Sequence, residues 1–235
     1  MPRWRGGAIL EPVLELLTGA GLATSAGLNA YIPLLILGLL GRYTDMVNLP
    51  PQWAWLQNGW VVGILAVLLA VEFVADKIPV VDHLNDVVQT VVRPTSGGLA
   101  FGAASSSETV TVSDPGAFFT SNQWVPILAG MVISLIVHSF KAAARPVVNL
   151  STGGVGAPVA STAEDIVSVF LSFVAIILPF LIIFFMILFV WAAVAIVRRR
   201  RRRRQERIAE REGPPRLGSA QDGNTLDLWR QTHGR

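Results

Sequence analysis

Residues 166–204 read IVSVFLSFVAIILPFLIIFFMILFVWAAVAIVRRRRRRR, and this stretch decides the fold class. Its first 32 residues, Ile166 to Val197, carry no charged side chain, and seven consecutive arginines follow. About 20 apolar residues already cross the hydrocarbon core of a bilayer, so a run of this length marks an integral membrane protein. The expected fold class is all-α, a multi-pass helical bundle. Arginines at the end of a span are retained on the cytoplasmic side. Arg198, Arg199, Arg200, Arg201, Arg202, Arg203 and Arg204 therefore place the C-terminus inside the cell membrane. They also attract anionic lipid headgroups, at about 1 kcal/mol per residue near the surface.

Charge divides the chain into two parts. From Arg198 onward twelve arginines stand against five acidic residues, a net of +7, whereas residues 1–197 have seven basic and eleven acidic residues, a net of −4. Residues 1–197 are expected to form the transmembrane domain and residues 198–235 a basic, largely disordered tail. Gly213-Pro-Pro and Gly218-Ser-Ala-Gln-Asp-Gly in that tail offer no apolar face to bury. A basic block suits nucleic acid as well, but beside a membrane helix the lipid surface is the nearer counter-charge, and no nucleic-acid partner is expected. With 52% hydrophobic and 15% charged residues, the 235-residue chain has a membrane composition. Having no cysteine, it has no disulfide, thiolate metal site or cysteine nucleophile. Glu11, Pro12 and Glu15 interrupt the stretch where a signal peptide would carry its apolar core.

Four stretches are apolar enough to span, about 13–40, 60–77, 124–144 and 166–197. The last is about 48 Å long at 1.5 Å per residue, so it is expected to tilt, to kink at Pro179 or to project beyond the bilayer. Ser161-Thr-Ala-Glu164 reads as a capping box at its start. An even number of spans puts both termini inside and leaves Arg42, Lys141 and Arg145 on the side that the arginine rule disfavours. A fifth span over residues 93–112 is the alternative. Ser105-Ser-Ser-Glu108-Thr is too polar to face lipid, so a re-entrant segment covered by protein or water is expected there.

The body is also self-similar. Trp60-Val-Val-Gly-Ile-Leu-Ala and Trp124-Val-Pro-Ile-Leu-Ala each open a span, and Pro79-Val-Val-Asp82 and Pro146-Val-Val-Asn149 follow them. Patches of small residues precede the spans, Thr18 to Gly27 and Thr95 to Ala104, and a third runs from Ser151 to Pro158. Two readings stand for these patches. Small residues let membrane helices approach closely. They also interrupt helices and expose backbone dipoles to a cavity, as in transporters built from repeats. The second reading puts broken or re-entrant helices at Gly97, Gly98, Gly153 and Gly154.

Ionisable side chains in or beside spans are functional candidates because they are costly there. Glu72 and Asp76 share a helix face at i, i+4, next to Lys77, while His138, Lys141 and Arg145 form a basic face in the second copy. The two faces are expected to pair across the repeat interface, for structure alone or to line a path. Arg93 before Thr95, Ser96 and Gly97, and Arg145 before Asn149, Ser151 and Thr152, combine a guanidinium, polar side chains and free amides suited to an anion. Asn29, mid-span, and Glu164 and Asp165, at the head of the last run, complete the candidate path. No catalytic motif and no metal-ligand spacing of the three histidines occurs, so neither an enzyme nor a cofactor is expected.

Gly27-Leu-Asn-Ala-Tyr-Ile-Pro-Leu-Leu and Asp76-Lys-Ile-Pro-Val-Val-Asp-His-Leu-Asn-Asp86, followed by Arg93-Pro and Ser96-Gly-Gly, carry a family resemblance. Over most of residues 15–165 the chain resembles a bacterial membrane family known as domain of unknown function four-one-two-six. The resemblance implies a small multi-pass membrane protein and no particular activity; the tail falls outside it. The functional expectation is a transporter- or channel-like protein for a small solute or ion, working as a homo-oligomer. The alternative is a non-transporting scaffold that binds a protein partner.

Overall fold

In the computed structural model, residues 7–76, 79–105, 124–152 and 156–212 are described. Among them the chain is 92% helical, without strands. The order is α1 (Gly7–Leu28), α2 (Ile32–Tyr43), a 3₁₀ segment (Pro51–Gln57), α3 (Gly59–Ala75), α4 (Pro79–Ser105), α5 (Trp124–Thr152), α6 (Gly156–Ile177) and α7 (Pro179–Glu212). Among the described residues three helical stretches are long and apolar enough to cross a membrane, namely Trp124–Pro146, Pro158–Ile177 and Pro179–Arg199. The 3₁₀ segment and α3, bent by 59°, make a fourth when taken as one span.

Burial runs opposite to that of a water-soluble bundle. Trp60, Val71, Val91 and Phe170 are exposed, whereas Asn29, Glu72, Gln89, Arg93 and Lys141 are buried. A chain that presents large apolar side chains outward and collects its polar ones inside is built for an apolar surround. This is a membrane protein.

The chain separates into a body through Ile187 and a second unit from Leu188. Within the body, α1 packs on α4, α5 and α6, and α4 packs on α5. Glycines set the closest approaches. A Cβ on Gly97 would collide with Ser134 and come within 2.8 Å of the Gly130 carbonyl oxygen; one on Gly98 would come within 2.9 Å of the Ile127 carbonyl oxygen. With no hydrophobic effect between helices in lipid, such close backbone packing is what holds α4 to α5.

Several expectations change. The run over 13–40 is not one helix, because α1 stops at Leu28 and α2 starts at Ile32. The run over 166–197 is not one span either. It divides at Leu178 into α6 and α7, for Pro179 lacks the N–H that would continue the ladder and its ring would crowd the preceding turn. The chain turns back there. Phe170 and Phe185 meet edge to face with ring centroids 5.7 Å apart, whereas a straight helix would hold them about 22 Å apart.

Ser161 to Glu164 cap nothing, since α6 already begins at Gly156. Gly97 and Gly98 do not interrupt α4, which is continuous to Ser105, so the expected break in the helix at these glycines is absent. Residues 106–112, which complete that expected segment, lie outside the described residues. In the second unit, the arginine block continues α7 as helix to Glu212; the rest of the expected disordered tail lies outside the described residues.

Candidate functional site

The site grows from the interruption between α1 and α2. Asn29 ends the last full turn of α1, its N–H donating to the Ser25 carbonyl at 3.0 Å. Its side-chain Oδ1 then accepts from the N–H groups of Tyr31 (3.1 Å) and Ile32 (3.2 Å). That is how a cap residue satisfies the free amides at a helix start. Pro33, lying in the first turn of α2, needs no amide partner there. The side-chain Nδ2 donates to Asp165 Oδ1 on α6 at 3.0 Å. One fully buried side chain therefore closes the start of α2 and ties it to a second helix.

The carbonyl end of α1 is held by cations. Lys141 Nζ donates to the Leu28 carbonyl at 3.0 Å and Arg93 Nη1 to the Gly27 carbonyl at 3.3 Å. Positive charge at a helix C-terminus satisfies orphan carbonyls and opposes the negative end of the helix dipole.

Those cations belong to a buried ionic layer. Arg93 Nη2 meets Glu72 Oε1 at 2.8 Å, with both side chains at 1% exposure or less. Arg145 Nη2 meets Asp76 Oδ2 at 3.1 Å, and Lys141 Nζ meets Glu164 Oε2 at 2.8 Å. Longer pairs join Lys141 to Asp76 (3.7 Å) and Arg145 to Glu164 (3.6 Å). Asn85 Nδ2 donates to Asp76 Oδ1 at 2.7 Å and Ser161 Oγ to Asp76 Oδ2 at 3.2 Å. Glu72, Asp76 and Glu164 thus balance Arg93, Lys141 and Arg145 across four helices. Such pairs contribute little net stability once desolvation is counted, yet loss of one partner strands a buried charge.

His138 adds a neutral member. Arg93 Nη1 approaches His138 Nδ1 at 3.4 Å, and a guanidinium only donates, so Nδ1 accepts. The ring proton then lies on Nε2, which donates to Thr90 Oγ1 at 3.2 Å. Ser134 Oγ donates to the Arg93 carbonyl at 2.8 Å.

The structure therefore brings Asn29, Glu72, Asp76, Arg93, His138, Lys141, Arg145, Glu164 and Asp165 together. Gly97 and Gly98 serve the α4–α5 contact. Thr152, exposed, donates to the Val148 carbonyl at 2.7 Å and accepts from the Gly156 N–H at 2.9 Å, a local arrangement away from the layer. Lys77, Gly153, Gly154 and the side chains of Asn149 and Ser151 lie outside the described residues. Arg198 to Arg204 belong to the second unit.

Sequence reasoning missed Asn85, Gln89, Thr90, Ser134 and the role of Ser161. The signal was present on α4, where Asn85, Gln89, Arg93 and Ser96 recur at helical spacing within a Val-rich stretch. On α5, Gly130, Ser134, His138, Lys141 and Arg145 recur in the same way. A separate serine knot, Ser25 Oγ with Ser168 Oγ and Ser172 Oγ, each at 2.7 Å, joins α1 to α6. Between α3 and α6 lies an open cleft of about 810 Å³ walled by Leu69, Phe73, Val169 and Phe173. Among the described residues no group of three or more His, Asp or Glu suits a metal ion.

The chain matches no curated protein and no solved structure at a significant level. The family model described as Domain of unknown function (DUF4126) matches residues 16–199. That match reaches past the resemblance over 15–165, through the last apolar run and into the first two arginines. The matched region runs from within α1 through α6 and the apolar part of α7, and the chain belongs to the family of domain of unknown function DUF4126.

Proposed function

We propose that this membrane protein is a permeation protein, transporter- or channel-like, for a small solute or ion. One observation carries the reading: a helix is interrupted at the buried Asn29, which closes the start of α2, while Arg93 and Lys141 of a charged layer hold the carbonyl end of α1. Interrupted helices whose ends meet charged groups are how repeat-built transporters make their sites. Charges buried in a membrane bundle are retained at a cost that a purely structural contact does not require. In this reading Asn29, Arg93, Lys141, Glu164 and Asp165 border the path. The protein works as a homo-oligomer in the cell membrane, with the arginines on the cytoplasmic side against anionic lipid. Catalysis, a cofactor and a resident metal have no part in it.

A second reading, a non-transporting scaffold, is favoured by the close Gly97–Gly130 packing and by the charge balance of the layer. Flux separates the two. The protein is reconstituted in liposomes and assayed for uptake of labelled ions and small polar solutes. The obvious variant, Glu72→Gln, deprives Arg93 of its countercharge, so Glu164→Gln at the edge of the layer is the cleaner probe. The first reading expects flux above empty liposomes and an altered rate in Glu164→Gln, with a smaller fall in unfolding midpoint than Glu72→Gln shows, since Lys141 and Arg145 keep Asp76. Flux equal to that of empty liposomes across the panel defeats it.

A further inference from the structure

Three polar atoms around the Glu72–Arg93 pair have no hydrogen-bond partner within the protein. They are Glu72 Oε2, Gln89 Oε1 and Arg93 Nε, on residues that are each at least 98% buried. Their surroundings place them on one another's doorstep. Arg93 Nη2 is 2.8 Å from the other Glu72 oxygen, and Gln89 lies one turn before Arg93 on the same face of α4. The Gln89 amide is also hydrogen-bonded to the Tyr31 hydroxyl, at the interruption between α1 and α2.

The chemistry of the three atoms selects their ligand. Two are acceptors and one is a donor, so the complement is a molecule with two donors and one acceptor. Glu72 and Arg93 already neutralise each other. A cation would meet the guanidinium N–H, and an anion would meet two oxygens. Left unmet, three buried groups around one ion pair would cost a substantial share of a domain's stability. Buried waters bind at such places, typically through about three hydrogen bonds.

We propose that Glu72, Gln89 and Arg93 form a binding site for a single water molecule. It donates to Glu72 Oε2 and Gln89 Oε1 and accepts from Arg93 Nε. A water so placed links Tyr31 to the ion pair through Gln89. It also gives carboxylate and guanidinium a substitute partner, so α3 and α4 can separate at this pair without stranding a charge. The site stands whether or not solute crosses the protein.

The test is a map of the full chain in lipid nanodiscs at a resolution that shows ordered water, with Gln89→Leu beside it. Density within hydrogen-bonding distance of all three atoms, lost in Gln89→Leu, is the expected result. Should the variant not fold, the wild-type map decides alone. Empty space there, with Glu72 rotated into a two-bond pairing with the Nε and Nη2 atoms of Arg93, overturns the proposal. So does density that persists unchanged in Gln89→Leu.

Discussion

Two apolar runs of this chain read alike and break differently. The first, over 13–40, stops at Asn29 because side chains reward the stop: Asn29 caps α2, while Arg93 and Lys141 hold the carbonyls of α1. The second, over 166–197, stops at Leu178 because of backbone. Pro179 has no N–H to give, and Leu178 N–H closes the last bond of α6 on Val174 at 2.8 Å. The Ala175 carbonyl that Pro179 leaves free accepts from the Thr18 hydroxyl at 2.9 Å, and apolar contacts pack around the bend. Ile182 is buried there beside Ala175 and Gly21. A break made by proline is written in one residue. A break made by capping depends on residues 60 or more positions away, as Gly27–Arg93 and Leu28–Lys141 show.

The contrast sets a ladder of effects. Arg93→Met should be the most damaging change, destabilising by about 3–5 kcal/mol because it strands Glu72 in the interior; reversible unfolding in mixed micelles reads this directly. A loss below that of a surface substitution would mean that the layer is open to water. Gly130→Ala comes next, at about 1–3 kcal/mol, since its methyl would collide with the Gly97 carbonyl and the Phe101 side chain. The unfolding midpoint should fall accordingly; a neutral result would mean that α4 and α5 are not in contact there.

Asn29→Ala should cost about 1–2 kcal/mol through the lost cap. Backbone amide exchange at Tyr31 and Ile32 should quicken, which distinguishes a local cap from a remote repacking. The smallest effect is expected of Pro179→Ala, below about 1 kcal/mol. Packing of Ile182 and the Phe170–Phe185 contact should hold the bend without the proline. Because the chain has no cysteine, spin labels introduced in pairs on α6 and α7 can report whether it straightens. A straightened helix would make the proline the sole cause of the bend.

The membrane class was legible in the 166–204 stretch, and the partnership of Asp76 with the basic face of α5 was legible in i, i+4 spacing, whereas Glu72 pairs instead with Arg93 on α4. What escaped was context. Gly97 and Gly98 read equally as a hinge or as a packing surface, and only the neighbouring Gly130 and Ser134 decide for packing. Ser161 and Glu164 have the spacing of a capping box, yet Asp76 on one side and Lys141 with Arg145 on the other claim them for the layer. Asn29 stood out as a polar residue mid-run, and toward Asp165 it is an interhelical hydrogen-bond donor. Its second role, as the cap of α2, was hidden because apolar continuity from residue 13 to 40 outweighs one amide in any periodicity count.

The central claim is that the charged layer consists of mutually dependent partners, each buried beside the countercharge that balances it. A double-mutant cycle on Glu72 and Arg93 tests it most directly, using unfolding free energies of the wild type, Glu72→Gln, Arg93→Met and the double variant in one micelle system. The account predicts that the double variant is markedly more stable than Arg93→Met alone, since removing both charges leaves none stranded. Additive losses, with the double variant the least stable of the four, would contradict it.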